Sequence, residues 1–305
     1  MTIKKFLSYA LRFIIIFILF AALFMLGSGI VAGKIPAGGS EPGLVPDFAG
    51  FLLIVALETA IIGALILTSR WGGWKLAILL SLAYYGAVTI LTQLEAWYFL
   101  SSLTISPDLI PALFAMRIPV CFIAIPLSVL ILGRWKVPPD TEPNAALVMP
   151  VGQWAWKIAL LVVAYILLYW CAGYFIAWQN PAVRSFYGSP GPAAPFLTHT
   201  LNTLSNDPLL FPFQMLRAIL WVLCALPIVR GSKVNAWWTA VLVGLMFSMP
   251  QNIAHILANP LMPIASVRLS HLVETASSTF VFGMIVVWLL HRQHKSFKDL
   301  FGLEK

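Results

Sequence analysis

Charge is what this chain has least of. Lys, Arg, Asp and Glu make up 10% of its 305 residues, against 60% apolar side chains. A soluble domain carries roughly a quarter charged residues, so this chain has too few to clothe a surface in water. Its solvent is lipid. Cysteine is scarce as well. Cys121, Cys171 and Cys224 stand singly in apolar runs without a Cys-x-x-Cys spacing, so neither a thiolate metal site nor a disulfide framework is written here. A phosphate-binding glycine loop, a serine nucleophile elbow, a His-Glu-x-x-His pair and a Glu-Glu-x-x-x-Arg pair are all missing, which removes the commonest signatures of nucleotide and hydrolytic sites. The net charge of +8 does not point to nucleic acid, and no nucleic-acid partner is expected. In a membrane protein a basic excess reports topology, because cytoplasmic loops collect Lys and Arg.

What the chain does have is long apolar runs. A spanning helix needs about 20 apolar residues. Eight stretches meet or approach that length: 6–32, 47–69, 74–100, 110–133, 154–178, 209–229, 236–257 and 269–290. Arg117, Pro119 and Pro126 interrupt the fourth, and Pro250 to His255 the seventh. The first is longer than the roughly 7–15 apolar residues of a secretory signal, so it reads as a retained helix. The expected fold class is an all-α polytopic membrane protein of eight transmembrane helices, with the lipid bilayer as its first partner.

Basic residues orient it. Lys4, Lys5, Arg12, Arg70, Lys75, Arg134, Lys136, Lys157, Arg230, Lys233, Arg292, Lys295, Lys298 and Lys305 fall at the termini or at every second connection. The asymmetry puts both termini in the cytoplasm of an inner, plasma-type membrane. The Gly- and Pro-rich loops 33–46 and 179–208 then lie outside. The first reads as a connector. The second, with Arg184, Phe186, Tyr187 and His199, reads as a connector, a re-entrant segment or a lid. Trp residues at the span ends form an aromatic belt.

The halves resemble each other. Arg12 before the first span matches Lys157 before the fifth, Arg70 then Trp74 matches Arg230 then Trp237, and Gln93 matches Gln251. LIPALFAMRI (109–118) matches LMPIASVRLS (261–270). Two parallel four-helix repeats follow: a first half over 1–137, a cytoplasmic linker over 138–153, a second half over 154–292 and a cytoplasmic tail over 293–305.

Polar residues inside spans are costly and mark function by default. They concentrate between positions 250 and 278. Gln251, Asn252, His255 and Asn259 recur at helical spacing, and Arg268, His271, Glu274, Thr275 and Ser278 share one face of the next helix. Adding Glu95 and Arg117, the candidate ligand-binding set is Gln251, Asn252, His255, Arg268, His271, Glu274, Arg117 and Glu95. All of these sit in the outer half of the expected bilayer. Glu58 lies deeper, at nearly the equivalent place in the second span to Arg217 in the sixth; paired, the two would neutralise each other at a desolvation cost, whereas Glu58 alone would be protonated. His255, His271 and Glu274 also make a His/His/carboxylate set, which suits a divalent metal cofactor. The alternative is a hydrogen-bonded network that locks helices, with Arg268 on Glu274 or Glu95.

Three functions fit these stripes. The favoured one is a carrier or ligand-binding membrane protein whose pocket takes a small polar or anionic ligand, or a lipid headgroup, from outside. A membrane-embedded metal or acid–base enzyme is the second, and a structural or accessory subunit the third.

Overall fold

The computed structural model describes residues 3–35, 38–99, 106–136 and 147–301. Most of the expected mid-chain linker, the last four residues and parts of two loops lie outside these. The described residues form helices and no strands. That is what lipid demands, since a helix satisfies its own backbone donors and acceptors where no water can.

Among the described residues seven helices are long and apolar enough to cross a membrane: α1 (Ile3–Ala32), α2 (Asp47–Thr68), α3 (Gly73–Tyr98), α4 (Pro107–Ile131), α5 (Val151–Ala177), α8 (Leu210–Gly231) and α10 (Ala265–Leu290). Two short helices, α6 (Pro181–Phe186) and α7 (Phe196–Asn206), fill the loop between α5 and α8. The eighth expected span is α9 (Ala236–Asn252). It is helical but has only 17 residues, about 26 Å at 1.5 Å per residue. Pro250 lies inside its last turn, and the chain tightens into a 3-10 turn at Ile253–Ile256. The expected count of eight is therefore not confirmed: among the described residues seven helices qualify as spans, and α9 falls short of them in length.

Three spans carry a π-helical turn: Gly86–Ile90 in α3, Val120–Ala124 in α4 and Gly173–Ala177 at the end of α5. Each shifts the side chains beyond it to a new face, and such turns recur at functional sites. α9 and α10 pack backbone to backbone, because a side chain on Gly283 would start 2.7 Å from the Gly244 α-carbon. Small residues permit this approach where apolar burial gives helices no reason to associate in lipid.

The two ends of the bundle differ in chemistry. At one end the α2–α3 and α8–α9 turns meet. Arg70 N–H donates to the Gly231 carbonyl (2.7 Å), and Lys233 N–H donates to the Thr68 carbonyl (2.9 Å). Arg70 caps the Ser232 carbonyl, Arg134 caps those of Ser69 and Trp71, and Lys157 donates to the Arg292 carbonyl. Basic side chains here bind the carbonyls that helix ends leave unpaired. The tail returns to this end, with Gln153 bonded to the His294 carbonyl and the Trp156 ring against His294 and Phe297.

At the other end the loop before α2 docks on the link between α9 and α10. Glu41 N–H donates to the Pro263 carbonyl and Leu44 N–H to that of Ile256. Gly43 lies so close that any β-carbon would meet the Ile256 carbonyl at 2.5 Å. The expected plain connector is thus a strap over the α9–α10 link.

The buried ion pairs correct the sequence reading. Glu58 does not pair with Arg217. It pairs with Arg117 at 2.6 Å, with the side chains 1% and 9% exposed. α4 breaks at Arg117 between its α-helical and π-helical parts, which turns the guanidinium inward, over the Phe24 ring. Arg217 instead meets Glu95, because α8 packs on α3.

Candidate functional site

A cavity of about 440 Å³ lies among α3, α5, α8, α9 and α10, beneath α6 and α7. That size suits a small organic ligand, for which pockets of roughly 300–1,000 Å³ are usual. α3 contributes Thr92, Glu95 and Phe99, and α8 contributes Leu210 and Arg217. α5 supplies Tyr165, Tyr169, Trp170, Tyr174 and Trp178, α6 supplies Val183 with Tyr187 just past its end, and α7 adds His199 and Thr203. The far wall is Gln251, Asn252 and His255 after α9, with His271, Glu274, Thr275, Ser278 and Thr279 on α10. Beneath its lining, about one turn nearer the basic end than Arg217, Gln251 and Ser278, aromatic rings pack as a floor: Trp221 on Phe247 (4.4 Å), Phe247 on Phe282 (6.5 Å), and Phe282 on the lining residue Tyr165 (5.0 Å).

Local sequence explains how α9 offers its polar side chains. Pro250 has no N–H to give, and two amides fold back along the helix. Gln251 donates to the Phe247 carbonyl (2.6 Å) and Asn252 to that of Ser248 (2.7 Å). Their oxygens face outward as acceptors, and Thr92 donates to Gln251 (2.9 Å) and Thr275 to Asn252 (2.6 Å). This ties α9 to α3 and α10 at the cavity wall.

Glu95 and Arg217 form a two-pronged pair, at 2.6 and 2.7 Å, and Gln214 takes a further guanidinium bond at 3.0 Å. The Glu95 side chain is 30% exposed, and Arg217 only 5%. The carboxylate therefore presents to the cavity while the cation stands behind it. Tyr165 and Phe213 rings flank the guanidinium.

The second polar group is a chain of three. His271 Nδ1 lies 2.8 Å from Glu274 Oε2, and His271 Nε2 lies 3.1 Å from the Tyr187 hydroxyl. Burial, then the Glu274 and Glu95 carboxylates, push the Tyr187 phenol well above its ordinary range, so it keeps its proton and donates it. Glu274 offers the ring an acceptor, so His271 donates Nδ1–H to it, and the carboxylate and the phenol together fix the plane of the imidazole. The other Glu274 oxygen, Oε1, makes no hydrogen bond with the described residues and lies over the bare α-carbon of Gly173, where a β-carbon would come within 3.4 Å of it. The His255 ring stands 6.5 Å from that of His271, half-buried, with no hydrogen bond among the described residues.

Of the eight residues read from the sequence as a ligand set, six face this one cavity: Gln251, Asn252, His255, His271, Glu274 and Glu95. Two do not. Arg117 is buried against Glu58. Arg268, 1% exposed, spends its donors on Ser40 Oγ and on the carbonyls of Met262, Pro263, Glu41 and Pro42. It pairs with neither Glu274 nor Glu95 and acts as the pin of the strap that precedes α2. Arg184 is likewise spent on the carbonyls of Trp178, Gln179 and Gly191.

Sequence reasoning missed the aromatic wall. Trp178 looks like a span-end belt residue and Tyr165 and Tyr169 sit unmarked in an apolar run; only the packing of α5 on α8 and α10, with α6 and α7 folded over them, makes them a wall. The loop 179–208 holds helical structure, and α7 serves as a cavity wall through His199 and Thr203, while Leu197 and Leu201 point away, exposed. Burial holds the His199 imidazole below its ordinary range.

His255, His271 and Glu274 do not assemble as the expected metal ligands. Both ring nitrogens of His271 already have partners, and among the described residues no group of three or more His, Cys, Asp or Glu is arranged to hold an ion.

Fold and site together define a class: an all-helical, multi-pass integral membrane protein with a polar-walled internal cavity near one end of its bundle. Comparison with known proteins adds no narrower identity, since no family model, no curated protein and no solved structure matches the chain.

Proposed function

We propose that this protein binds a small ligand from the outer side of the plasma membrane, as a carrier or receptor does. The observation that carries the reading is the cavity of about 440 Å³, walled by polar and aromatic side chains, with Trp221, Phe247 and Phe282 packed on one another as a layer beneath its lining. A floor on the basic side and a wall of short helices on the other make a site that loads from one face. The gathering of Arg70, Arg134, Lys157 and Arg292 at the floored end favours that end as cytoplasmic. With α9 counted as a span, both termini lie there.

Two four-helix repeats underlie this architecture. The reciprocal backbone bonds between the α2–α3 and α8–α9 turns support the duplication, since each turn gives the other one donor and one acceptor. Ser69 bridges Ser232, and a Trp follows five residues later in each, Trp74 and Trp237. This register makes Lys233, rather than Arg230, the counterpart of Arg70. α1 against α4 and α5 against α10 repeat one packing, as do α2 against α9 and α3 against α8.

Thiol labelling tests the reading. In a chain with Cys121, Cys171 and Cys224 replaced, Thr275→Cys should react with a membrane-impermeant reagent added outside intact cells. A cysteine at Thr239, near the basic end, should not. Labelling of neither position, or of the second alone, rejects an outward-opening pocket.

The Tyr187–His271–Glu274 chain favours one second reading, an acid–base enzyme working on a ligand in the same cavity. An imidazole oriented by a carboxylate is the arrangement general-base catalysis uses. Lipids that co-purify with the protein would then change chemically on incubation, and would stay unchanged with His271→Gln.

A further inference from the structure

The carriers of positive charge near the cavity are all committed elsewhere. Arg268 is turned to loop carbonyls, Arg184 likewise, and Arg117 is sealed against Glu58. The one guanidinium that lines the cavity, Arg217, is spanned by both oxygens of Glu95 and held from behind by Gln214. An anionic ligand would find no free donor fork.

Negative charge is treated differently. Two carboxylates line the space, Glu95 and Glu274, against the single guanidinium. Glu95 is the more exposed member of its pair, and Glu274 Oε1 has no hydrogen-bond partner among the described residues. His271, the partner of the other Glu274 oxygen, already gives its second nitrogen to Tyr187. Around these carboxylates stand six Tyr and Trp rings, Tyr165, Tyr169 and Trp178 among them. Aromatic faces attract a cation through their quadrupole, most strongly where water is excluded. A carboxylate within such a wall favours ammonium over any neutral group of the same shape.

We propose that the cavity recognises a small organic cation, an ammonium group on a compact body, seated between the Glu274 carboxylate and the tyrosine-rich face of α5. This rests on the ligand-binding reading above and names the class of ligand. It replaces the polar or anionic ligand that the sequence suggested, because the arginines behind that expectation do not reach the cavity. The roles divide simply. Glu274 supplies the charge, His271 and Tyr187 hold its orientation, and the unbonded ring of His255 accepts from a hydroxyl or N–H on the ligand body.

Three probes of one shape separate charge from size: choline, its neutral carbon isostere 3,3-dimethylbutan-1-ol, and the anion isethionate. Each is titrated by calorimetry into the purified full chain in maltoside micelles. Choline should bind at least tenfold more tightly than either of the others. Glu274→Gln keeps an acceptor oxygen for His271; it should lower choline affinity at least tenfold in protein that still unfolds cooperatively, and should leave the neutral alcohol unaffected. Equal binding of choline and the alcohol, preference for isethionate, or full choline affinity in Glu274→Gln overturns the cation proposal. If no probe binds while Thr275→Cys is still labelled from outside, the cation proposal fails and the outward pocket stands. If labelling is absent too, both fail.

Discussion

Glu58 with Arg117 and Glu95 with Arg217 are the same chemical pair at the same 2.6 Å contact, set in different surroundings. The first is closed in by α1, α2 and α4, with Phe24 over the guanidinium and both side chains under a tenth exposed. The second has one face open, and its carboxylate looks into a cavity. In the sealed pair Glu58 Oε2 has no hydrogen-bond partner among the described residues, but it is buried away from the cavity, so the pair offsets the desolvation of two ions and offers nothing to a ligand. An open pair keeps its acceptor edge. Burial of charge in this protein therefore serves two ends, and the residue types alone do not say which. Exposure of the carboxylate does.

Breaking the sealed pair should have the largest effect. Glu58→Ala leaves Arg117 buried and uncompensated, at a cost of about 3–5 kcal/mol. The expected result is loss of folded protein in a detergent-solubility assay, with yield recovered in the double variant Glu58→Gln, Arg117→Met. A stable Glu58→Ala protein would mean the pair is wetter than its exposure implies.

The open pair should be more forgiving. Glu95→Gln keeps one acceptor for Arg217 and reaches cavity water, so its cost should stay near 1–3 kcal/mol, the scale of a hydrogen bond to a charged group. Thermal unfolding of the two variants side by side decides the comparison: equal losses would erase the distinction between sealed and open.

Smaller still is the effect of loosening the three-residue chain. Tyr187→Phe removes one hydrogen bond to His271 and should cost about 1 kcal/mol. It frees Nε2, so a histidine-directed acylating reagent should modify His271 faster than in the parent chain. Unchanged reactivity would argue that the phenol does not guard that nitrogen.

The smallest effect lies at the basic end. His294 is buried, and its imidazole is pushed down to about 4, first by burial and then by Lys157 and Arg292. An undocked tail titrates near the ordinary 6.5. Between these values the free tail holds a proton that the docked tail lacks. Docking is thus at full strength above pH 6.5 and weakens as pH falls towards 4. Proteolysis of the tail should quicken a few-fold from pH 7.5 to pH 5, and His294→Asn should flatten that dependence.

Much of this was legible beforehand. The apolar runs became helices near their expected bounds, and the stripe at Gln251, Asn252, His255, His271 and Glu274 does share one cavity. Helical spacing places side chains on a face, and that rule is local. Partner choice is not. Glu58 and Arg217 stand at places the sequence reads as equivalent, yet the turn at Arg117 and the packing of α8 on α3 gave each a different mate. Arg268 has the spacing of a cavity residue, but the strap from before α2, more than 200 positions away in sequence, captured it. The cavity's tyrosines were hidden because Tyr165 and Tyr169 sit in an apolar run, and only the packing of α5 on α8 and α10 turns their shared face into a cavity wall.

The sequence by itself determined that this protein lives in lipid, that it is helical throughout its spans, and that its polar residues crowd towards one end. Those properties follow from composition and local periodicity, which act residue by residue. Only the tertiary structure decided which charges are sealed and which are offered. That depends on what stands across from each side chain, and what stands across is set by packing between segments far apart in the chain.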